Sequence, residues 1–314
     1  MEILLAALRF AVGLALVIYF AEKLVSGAVG TARAFGLSAF VISVVFIGFD
    51  PENLAVGAAG AYEEVAGIAL GSILGAAMVA VALAFGITAI LAPMRFGRAP
   101  GTVLLLPVLA VLLFGLLALD GRLSRTDGAV LVAGYVGSLG TVWALSRRGL
   151  HIAPSGEVAE TLERDRASRW RAFGLLILSL AAIVAGSELV VDASERIIGR
   201  LGVSDTVFGM TILALLVSIE ELARELPAAR RGRPEISYGN VAGSIFAFFL
   251  LNAGVIALVR PVPVAPDVLR FYLPVAFATT VLVALLMRTR RVSRGAGIAL
   301  LVAYAVFAIG GYVL

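Results

Sequence analysis

The sequence has no cysteine and only one histidine, His151, among its 314 residues. The absence of cysteine excludes disulfide bonds, thiolate metal sites and cysteine nucleophiles. A single histidine in a polar segment also argues against histidine-ligated zinc and Ser-His-Asp chemistry inside an apolar protein. We therefore expect a protein that is not an enzyme and has no resident cofactor.

Charged residues are scarce as well, at 15% of the chain, whereas 61% of the residues are hydrophobic and the mean hydropathy is +1.04. Soluble domains have about 25% charged residues and roughly 45–50% apolar ones. This composition predicts an integral membrane protein. The net charge of +4 comes mostly from arginine, and we expect it to set membrane orientation rather than to bind nucleic acid.

The apolar residues form ten runs that approach the roughly 20 residues needed for a helix to cross a bilayer. No cationic segment precedes the first run and no small-residue cleavage site follows it, so we interpret it as a membrane helix. The pattern predicts an all-α integral membrane fold with ten transmembrane helices. The runs lie at 3–21, 37–61, 66–92, 101–119, 127–146, 171–192, 203–229, 236–260, 267–287 and 295–314.

The last five runs repeat the first five. Residues 22–42 align with 188–208, with Glu22 opposite Glu188 and a glycine 14 residues later in both. Because each repeat has an odd number of spans, the second repeat crosses the membrane in the opposite direction. Inverted repeats of this kind place a transport site near the membrane midplane. The predicted units are a first repeat at 1–146, a linker at 147–170 and a second repeat at 171–314.

Lysine and arginine are concentrated in every second loop, including the linker. The positive-inside rule then predicts that both termini lie outside the cell and that 147–170 is cytoplasmic, in a plasma (inner) membrane protein. The charged linker has the composition of a short helix, and we interpret it as a connector. The expected partners are the lipid bilayer and inorganic cations, and the expected state is a monomer or a weak homo-oligomer.

Acidic residues interrupt the second apolar run. The segment 47–53 contains Pro51, which removes a backbone donor and breaks the helix, next to three oxygen-bearing side chains: Asp50, Glu52 and Asn53. Carboxylates within a membrane segment need a partner, a cavity or an ion, and Ca²⁺ prefers oxygen ligands of this kind. A kinked helix whose carboxylates are satisfied by arginine or water is the alternative. We expect no arginine in these helix interiors.

The second repeat has a related pattern. Glu220 and Glu221 follow Ser218 inside an apolar segment. Glu221 is the stronger candidate ligand, because its neighbour Glu220 must point elsewhere on the helix, as a possible proton carrier or towards a cavity. Arg224 and Glu225 are predicted to form a charged cluster at the cytoplasmic mouth.

Each repeat also contains glycines at a spacing of four residues, at Gly71 and Gly75 and again at 239 and 243. Small residues at this spacing allow close helix packing in membranes. The same thin helices would also bring three polar side chains to an ion: Ser72, Asn240 and Ser244. Asn240 and Ser244 lie one turn apart and share a helix face.

These motifs resemble those of the Ca²⁺:cation antiporter superfamily, which includes sodium/calcium and calcium/proton exchangers. The resemblance spans nearly the whole chain. In the second repeat, residues 217–222 stand where the family has Thr-Ser-x-Pro-Glu-Leu, and 239–244 match Gly-Asn-x-x-Gly-Ser. By this resemblance Glu221 would be a cation ligand supported by Ser218 and Ser244, with Glu52 as its partner from the first repeat.

The first repeat departs from the family pattern. Its break, at residues 48–52, is shorter, so Asp50 would share or take over the role of Glu52. Ala76 and Ala77 replace a Ser-Asn pair, and Ala80 and Phe248 replace polar residues one turn further on. With fewer polar ligands, we expect the site to bind fewer sodium ions or to exchange protons carried on its carboxylates.

The sequence as a whole predicts a secondary cation antiporter that exchanges Ca²⁺ for Na⁺ at a shared midplane site. Glu52, Glu221 and Asp50 are the predicted metal ligands, with the polar side chains around them in support. The alternatives are exchange of Ca²⁺ or another cation for H⁺, a non-transporting membrane scaffold, and a membrane enzyme.

Overall fold

The computed structural model describes residues 2–38, 41–42, 45–46, 48–96, 101–146, 156–163, 168–232 and 234–313. Its first-half helices are α1 (Glu2–Ala34), α2 (Pro51–Tyr62), α3 (Ala66–Leu91), α4 (Gly101–Ala118) and α5 (Arg125–Ser146). The connecting segment contains α6 (Gly156–Glu163). The second half has α7 (Arg169–Leu201), α8 (Asp205–Val217), α9 (Glu220–Arg230), α10 (234–259), α11 (Val268–Arg288) and α12 (Arg294–Gly310).

The prediction of an all-α fold is confirmed. Six described helices are long and apolar enough to cross a membrane, and a seventh span results if the bent pair α8 and α9 counts as one. Helices α4 and α12 are apolar but shorter, and α2 has 12 residues. The count of ten spans therefore stays a prediction. Residue 47 and much of the linker, including His151, lie outside the described residues.

Two helices are longer than predicted. The sequence suggested ends at 21 and 192, but α1 and α7 each have 33 residues and continue to Ala34 and Leu201. The charged residues in these helices lie on an accessible face, where Asp192 pairs with Arg196 and with Arg9. The helices can therefore continue past them. The aligned glycines Gly36 and Gly202 do terminate them: both adopt positive φ, at 83° and 68°, a conformation that costs glycine little.

Equivalent contacts recur in the two halves. Gly86 in α3 packs against Gly297 in α12, and Gly254 in α10 packs against Gly128 in α5. Gly254 lies 168 residues after Gly86, so the second contact reproduces the first with the halves exchanged.

Two short strand pairs are also related to each other by exchange of the two halves. Met94–Arg95 pairs antiparallel with Arg291–Val292, and Arg122–Leu123 pairs with Val262–Pro263. These strands were not predicted, since two-residue strands have no detectable sequence periodicity.

The helices at the centre meet through glycine. A Cβ added to Gly71 would lie 2.3 Å from the Gly209 backbone, and one on Gly48 would lie 2.0 Å from Gly243. Helix α3 also contains π-helical turns at Gly71–Gly75 and Val79–Ala84, and α8 has one at Gly209–Leu213. Such turns are frequent at functional sites. The predicted close packing therefore applies to three of the four motif glycines, because Gly239 has open space around its Cα.

Helix α6 docks on α1 rather than projecting into solvent. The Arg33 guanidinium donates to the Thr161 carbonyl at 2.8 Å, and the hydroxyls of Ser26 and Thr161 are 3.0 Å apart. Ser26 also donates to the Glu157 carboxylate. The short charged helix expected in the linker is present, and polar contacts hold it against the first membrane helix.

The glycine contacts give a matched pair of stability variants. We expect Gly71→Ala to lower stability by about 1–3 kcal/mol, because the new methyl group overpacks against backbone that cannot move aside. Gly239→Ala should be neutral or stabilising by up to about 1 kcal/mol, because alanine is the better helix former. Thermal unfolding midpoints of the two variants in detergent test this; equal midpoints would contradict the packing described.

Candidate cation-binding site

Asp50 and Pro51 organise the start of α2. Proline fits the first turn of a helix because its missing N–H would have no partner there. Asp50 precedes it as the N-cap, and its carboxylate accepts from the Asn53 backbone N–H at 2.8 Å and from the Asn53 side-chain amide at 3.1 Å. The local sequence thus fixes a buried carboxylate at a helix start, where negative charge is favourable.

Three carboxylates come together across the halves. One oxygen each from Asp50, Glu52 and Glu220 lie within 4.8 Å of one another. Ca²⁺–oxygen distances are about 2.3–2.6 Å, so two ligands on opposite sides of one ion are separated by up to about 5 Å. The group is compact enough for a single divalent cation. Asp50 and Glu52 are each 1% exposed.

Glu221 is fully buried beside this group and is held by α10. The Asn240 amide donates to its Oε2 at 2.6 Å, and the Ser244 hydroxyl to its Oε1 at 3.4 Å. The three predicted residues Glu221, Asn240 and Ser244 therefore lie together. The carboxylate from α9 that groups with Asp50 and Glu52 is Glu220, which sequence reasoning had ranked below Glu221.

Asn53 connects the start of α2 to the break between α8 and α9. Its side-chain amide donates to the Ser218 hydroxyl at 2.9 Å, and both residues are fully buried. Among the described residues, Asn53 Oδ1 and Glu52 Oε2 have no hydrogen-bond partner. Buried polar atoms normally have partners, so these two oxygens are available ligand atoms. Ser72 does not join them: its hydroxyl donates to the Ile68 carbonyl at 3.0 Å.

Arg224 corrects the expectation that no arginine lies in these helix interiors. Its Nη2 is 2.5 Å from Glu220 Oε1 and 3.9 Å from Glu52 Oε1, and its Nη1 is 3.6 Å from Glu221 Oε1. It does not form a cluster with Glu225 at the mouth. Residues three and four apart share a helix face, so the spacing of Arg224 from Glu220 and Glu221 was the sequence signal for this contact.

Glu225 is the second correction. It is fully buried, and neither carboxylate oxygen has a hydrogen-bond partner among the described residues. Its backbone carbonyl accepts from the Ser237 hydroxyl at 2.8 Å. Helices α9 and α10 pack together here, which removes from water a residue that the sequence had placed at the interface.

The site lies in a chain whose two halves both match one family profile. Residues 5–144 and 171–312 match the family described as "Sodium/calcium exchanger protein". The chain belongs to this family. The superfamily resemblance drawn from the motifs is thereby confirmed, and the family is one of membrane transporters.

Curated relatives match this chain over lengths that range from less than half to nearly all of it. Inner membrane protein YrbG of Escherichia coli K12 is 29% identical over 318 residues, covering 95% of this chain and 93% of YrbG. The sodium/calcium exchanger MaX1 of Methanosarcina acetivorans is 36% identical over 135 residues, or 43% of this chain and 39% of MaX1. A structure of the sodium-calcium exchanger NCX_Mj soaked with Na⁺ and Sr²⁺ has a TM-score of 0.62 and 27% identity, and covers 98% of both chains.

Two substitutions of Asp50 distinguish its structural role as the N-cap of α2 from a role as a cation ligand. We expect Asp50→Ala to lower stability by about 1 kcal/mol through loss of the N-cap. Asp50→Asn retains an acceptor for the Asn53 N–H, so its unfolding midpoint should stay near wild type, whereas a ligand role of Asp50 predicts that this variant does not bind Ca²⁺. Calorimetric titration and thermal unfolding of both variants measure the two effects. Wild-type Ca²⁺ affinity in Asp50→Asn would exclude Asp50 as a ligand.

Proposed function

We propose that this protein is a secondary antiporter that exchanges Ca²⁺ for Na⁺ across the membrane. Asp50, Glu52 and Glu221 would bind the cation, as the sequence predicted, and Glu220 would join them. The observation that carries the proposal is the compact group formed by the buried carboxylates of Asp50 and Glu52 at the start of α2 and the partly buried carboxylate of Glu220 on α9. Buried acidic groups inside a membrane protein are costly and mark ion pathways.

The remaining polar residues would support these ligands. Asn240 and Ser244 orient Glu221, and Asn53 and Ser218 join the two helix breaks. Ser72 would contribute only after a rotamer change, since its hydroxyl now bonds to its own helix. Ca²⁺ binds six to eight oxygens, which a cluster of this size can provide together with water.

The proposed topology has ten spans in two inverted repeats, 1–146 and 171–314, with the linker at 147–170 in the cytoplasm and both termini outside. Its support is the reciprocal packing of α3 on α12 and of α10 on α5. In this arrangement the acidic group lies at the membrane midplane, where the two half-helices of each repeat meet.

Exchange would follow from mutual exclusion at shared carboxylates. One divalent cation or its counter-ion occupies the site at a time, and access alternates between the two sides. The long pair α1 and α7 contact each other through Gly13 and Gly186, and we expect this pair to move against the remaining bundle.

Proton exchange is the second candidate for coupling. Ala80 and Phe248 are fully buried at the positions where the resemblance implies polar sodium ligands, so sodium would have fewer ligands here. Proton carriers are present instead, because four carboxylates crowd the site. A scaffold without transport activity and a membrane enzyme are further outcomes that the flux assay separates.

A gradient exchange assay identifies the coupling ion. We expect purified protein in liposomes to take up radioactive Ca²⁺ when an outward Na⁺ gradient is imposed. Uptake driven by a pH gradient alone would replace Na⁺ by H⁺ as the counter-ion. The absence of flux with either gradient, and with other divalent cations, would refute the antiporter proposal.

Isosteric variants test the carboxylates. Glu52→Gln and Glu221→Gln should each reduce Ca²⁺ exchange at least about tenfold, equivalent to about 1.4 kcal/mol, because each removes a negative ligand without changing side-chain volume. Glu195→Gln provides the control, since Glu195 is exposed on α7. Initial flux rates normalised to reconstituted protein give the comparison. Exchange at the wild-type rate after either site substitution would remove that residue from the site.

A further inference from the structure

Arg224 occupies an unusual position for a residue of a cation-binding site. Its guanidinium lies within 4 Å of carboxylates on Glu220, Glu221 and Glu52, at 2.5, 3.6 and 3.9 Å. Two of these partners are on its own helix, α9, and Glu52 is on α2, in the other half of the chain. One positive charge thus contacts acidic groups from both halves.

The ionisable carboxylates around Arg224 outnumber this one guanidinium. Four carboxylates, those of the three partners and of Asp50, lie in or beside the group, and Arg224 is the cation placed among them in the described part of the chain. Buried ionised groups are tolerated when they are paired. The guanidinium therefore provides part of the positive charge that the site requires when it holds no metal ion.

We propose that Arg224 is a tethered competitor of the transported cation. This inference rests on the proposed function. In the empty site the guanidinium takes the place of a divalent ion against Glu52, Glu220 and Glu221. Loading requires it to leave, because a bound ion would coordinate the same oxygens directly and two positive charges so close together repel each other. Arg224 thereby sets the affinity of the site.

The position of Arg224 allows this displacement. Its side chain is 25% exposed, whereas those of Glu52 and Glu221 are 1% and 0% exposed. Arginine has a long flexible stem, and its head group can move towards water while the stem remains packed. Glu221 is held by Asn240 and Ser244 of α10, and Asp50 by its hydrogen bonds from Asn53 at the start of α2. The more exposed arginine is therefore the group that is placed to withdraw.

Calcium binding by purified protein in detergent tests the inference. We expect Arg224→Gln to lower the Ca²⁺ dissociation constant at least about tenfold, which corresponds to about 1.4 kcal/mol. Arg231→Gln is the matched control, because Arg231 is exposed just beyond the end of α9. Its dissociation constant should equal that of the wild type. An unchanged dissociation constant in Arg224→Gln would overturn the proposal.

Chemical rescue gives a second and independent readout. Arg224→Ala leaves space for a free guanidinium ion beside Glu220, so low millimolar guanidinium should weaken Ca²⁺ binding by Arg224→Ala several-fold more than binding by the wild type. Equal effects on both proteins would count against competition by Arg224. If either variant fails to fold, Arg224→Lys keeps the charge but not the planar fork. It should bind Ca²⁺ about two- to fivefold more tightly, and wild-type affinity would overturn the inference.

The outcomes separate this inference from the proposed function. Gradient-driven Ca²⁺ flux in the wild type, combined with unaltered affinity in the arginine variants, rejects the competitor role and leaves antiport intact. Absence of flux and of divalent-cation binding in the wild type rejects antiport itself, and the competitor role with it.

Discussion

The structure depends on the compensation of negative charge buried inside an apolar protein. Three carboxylates, those of Asp50, Glu52 and Glu221, are almost completely buried where the start of α2 meets α9, and the side chain of Glu220 beside them is 18% exposed. The surrounding groups are arranged to offset this charge: a helix start at Asp50, the amide of Asn240 and the guanidinium of Arg224. None of these removes the whole excess, and an excess of buried negative charge is what a cation-binding site requires.

Close packing through glycine makes this convergence possible. The helices approach one another at Gly71 and Gly209, and the turn at Gly48 approaches α10; at each of these glycines a β-carbon would collide with neighbouring backbone. Without such contacts the helix breaks of the two halves would be separated by side-chain layers, and hydrogen bonds such as that between Asn53 and Ser218 would not form. Packing and chemistry are thus connected: small residues at the interface hold the oxygen ligands within reach of one ion.

Much of the architecture could be predicted from hydropathy, because membrane helices produce long apolar runs. The glycine and acidic residues that interrupt these runs in the first half recur in the second half. The acidic residues themselves were also identifiable. The spacing of Arg224 from Glu220 and Glu221 indicated a shared helix face, but the sequence did not show that this face points into the site. The burial of Glu225 depends on the packing of α9 against α10, which the sequence does not reveal. The grouping of Glu52 with Glu220 depended likewise on backbone geometry across the two breaks, which no local pattern encodes.

The length of α1 and α7 has a consequence for the lipid environment. At 1.5 Å per residue a 33-residue helix is about 50 Å long, whereas the hydrocarbon core of a bilayer is about 30 Å thick. Helices of this length accommodate the difference by tilting or by projecting into the headgroups. The two helices pack along each other, at Gly13 with Gly186 and at Gly27 with Leu176, so we expect a change in bilayer thickness to tilt them together. The acyl-chain length of the lipid would therefore affect the tilt of α1 and α7, the helix pair that we expect to move during transport.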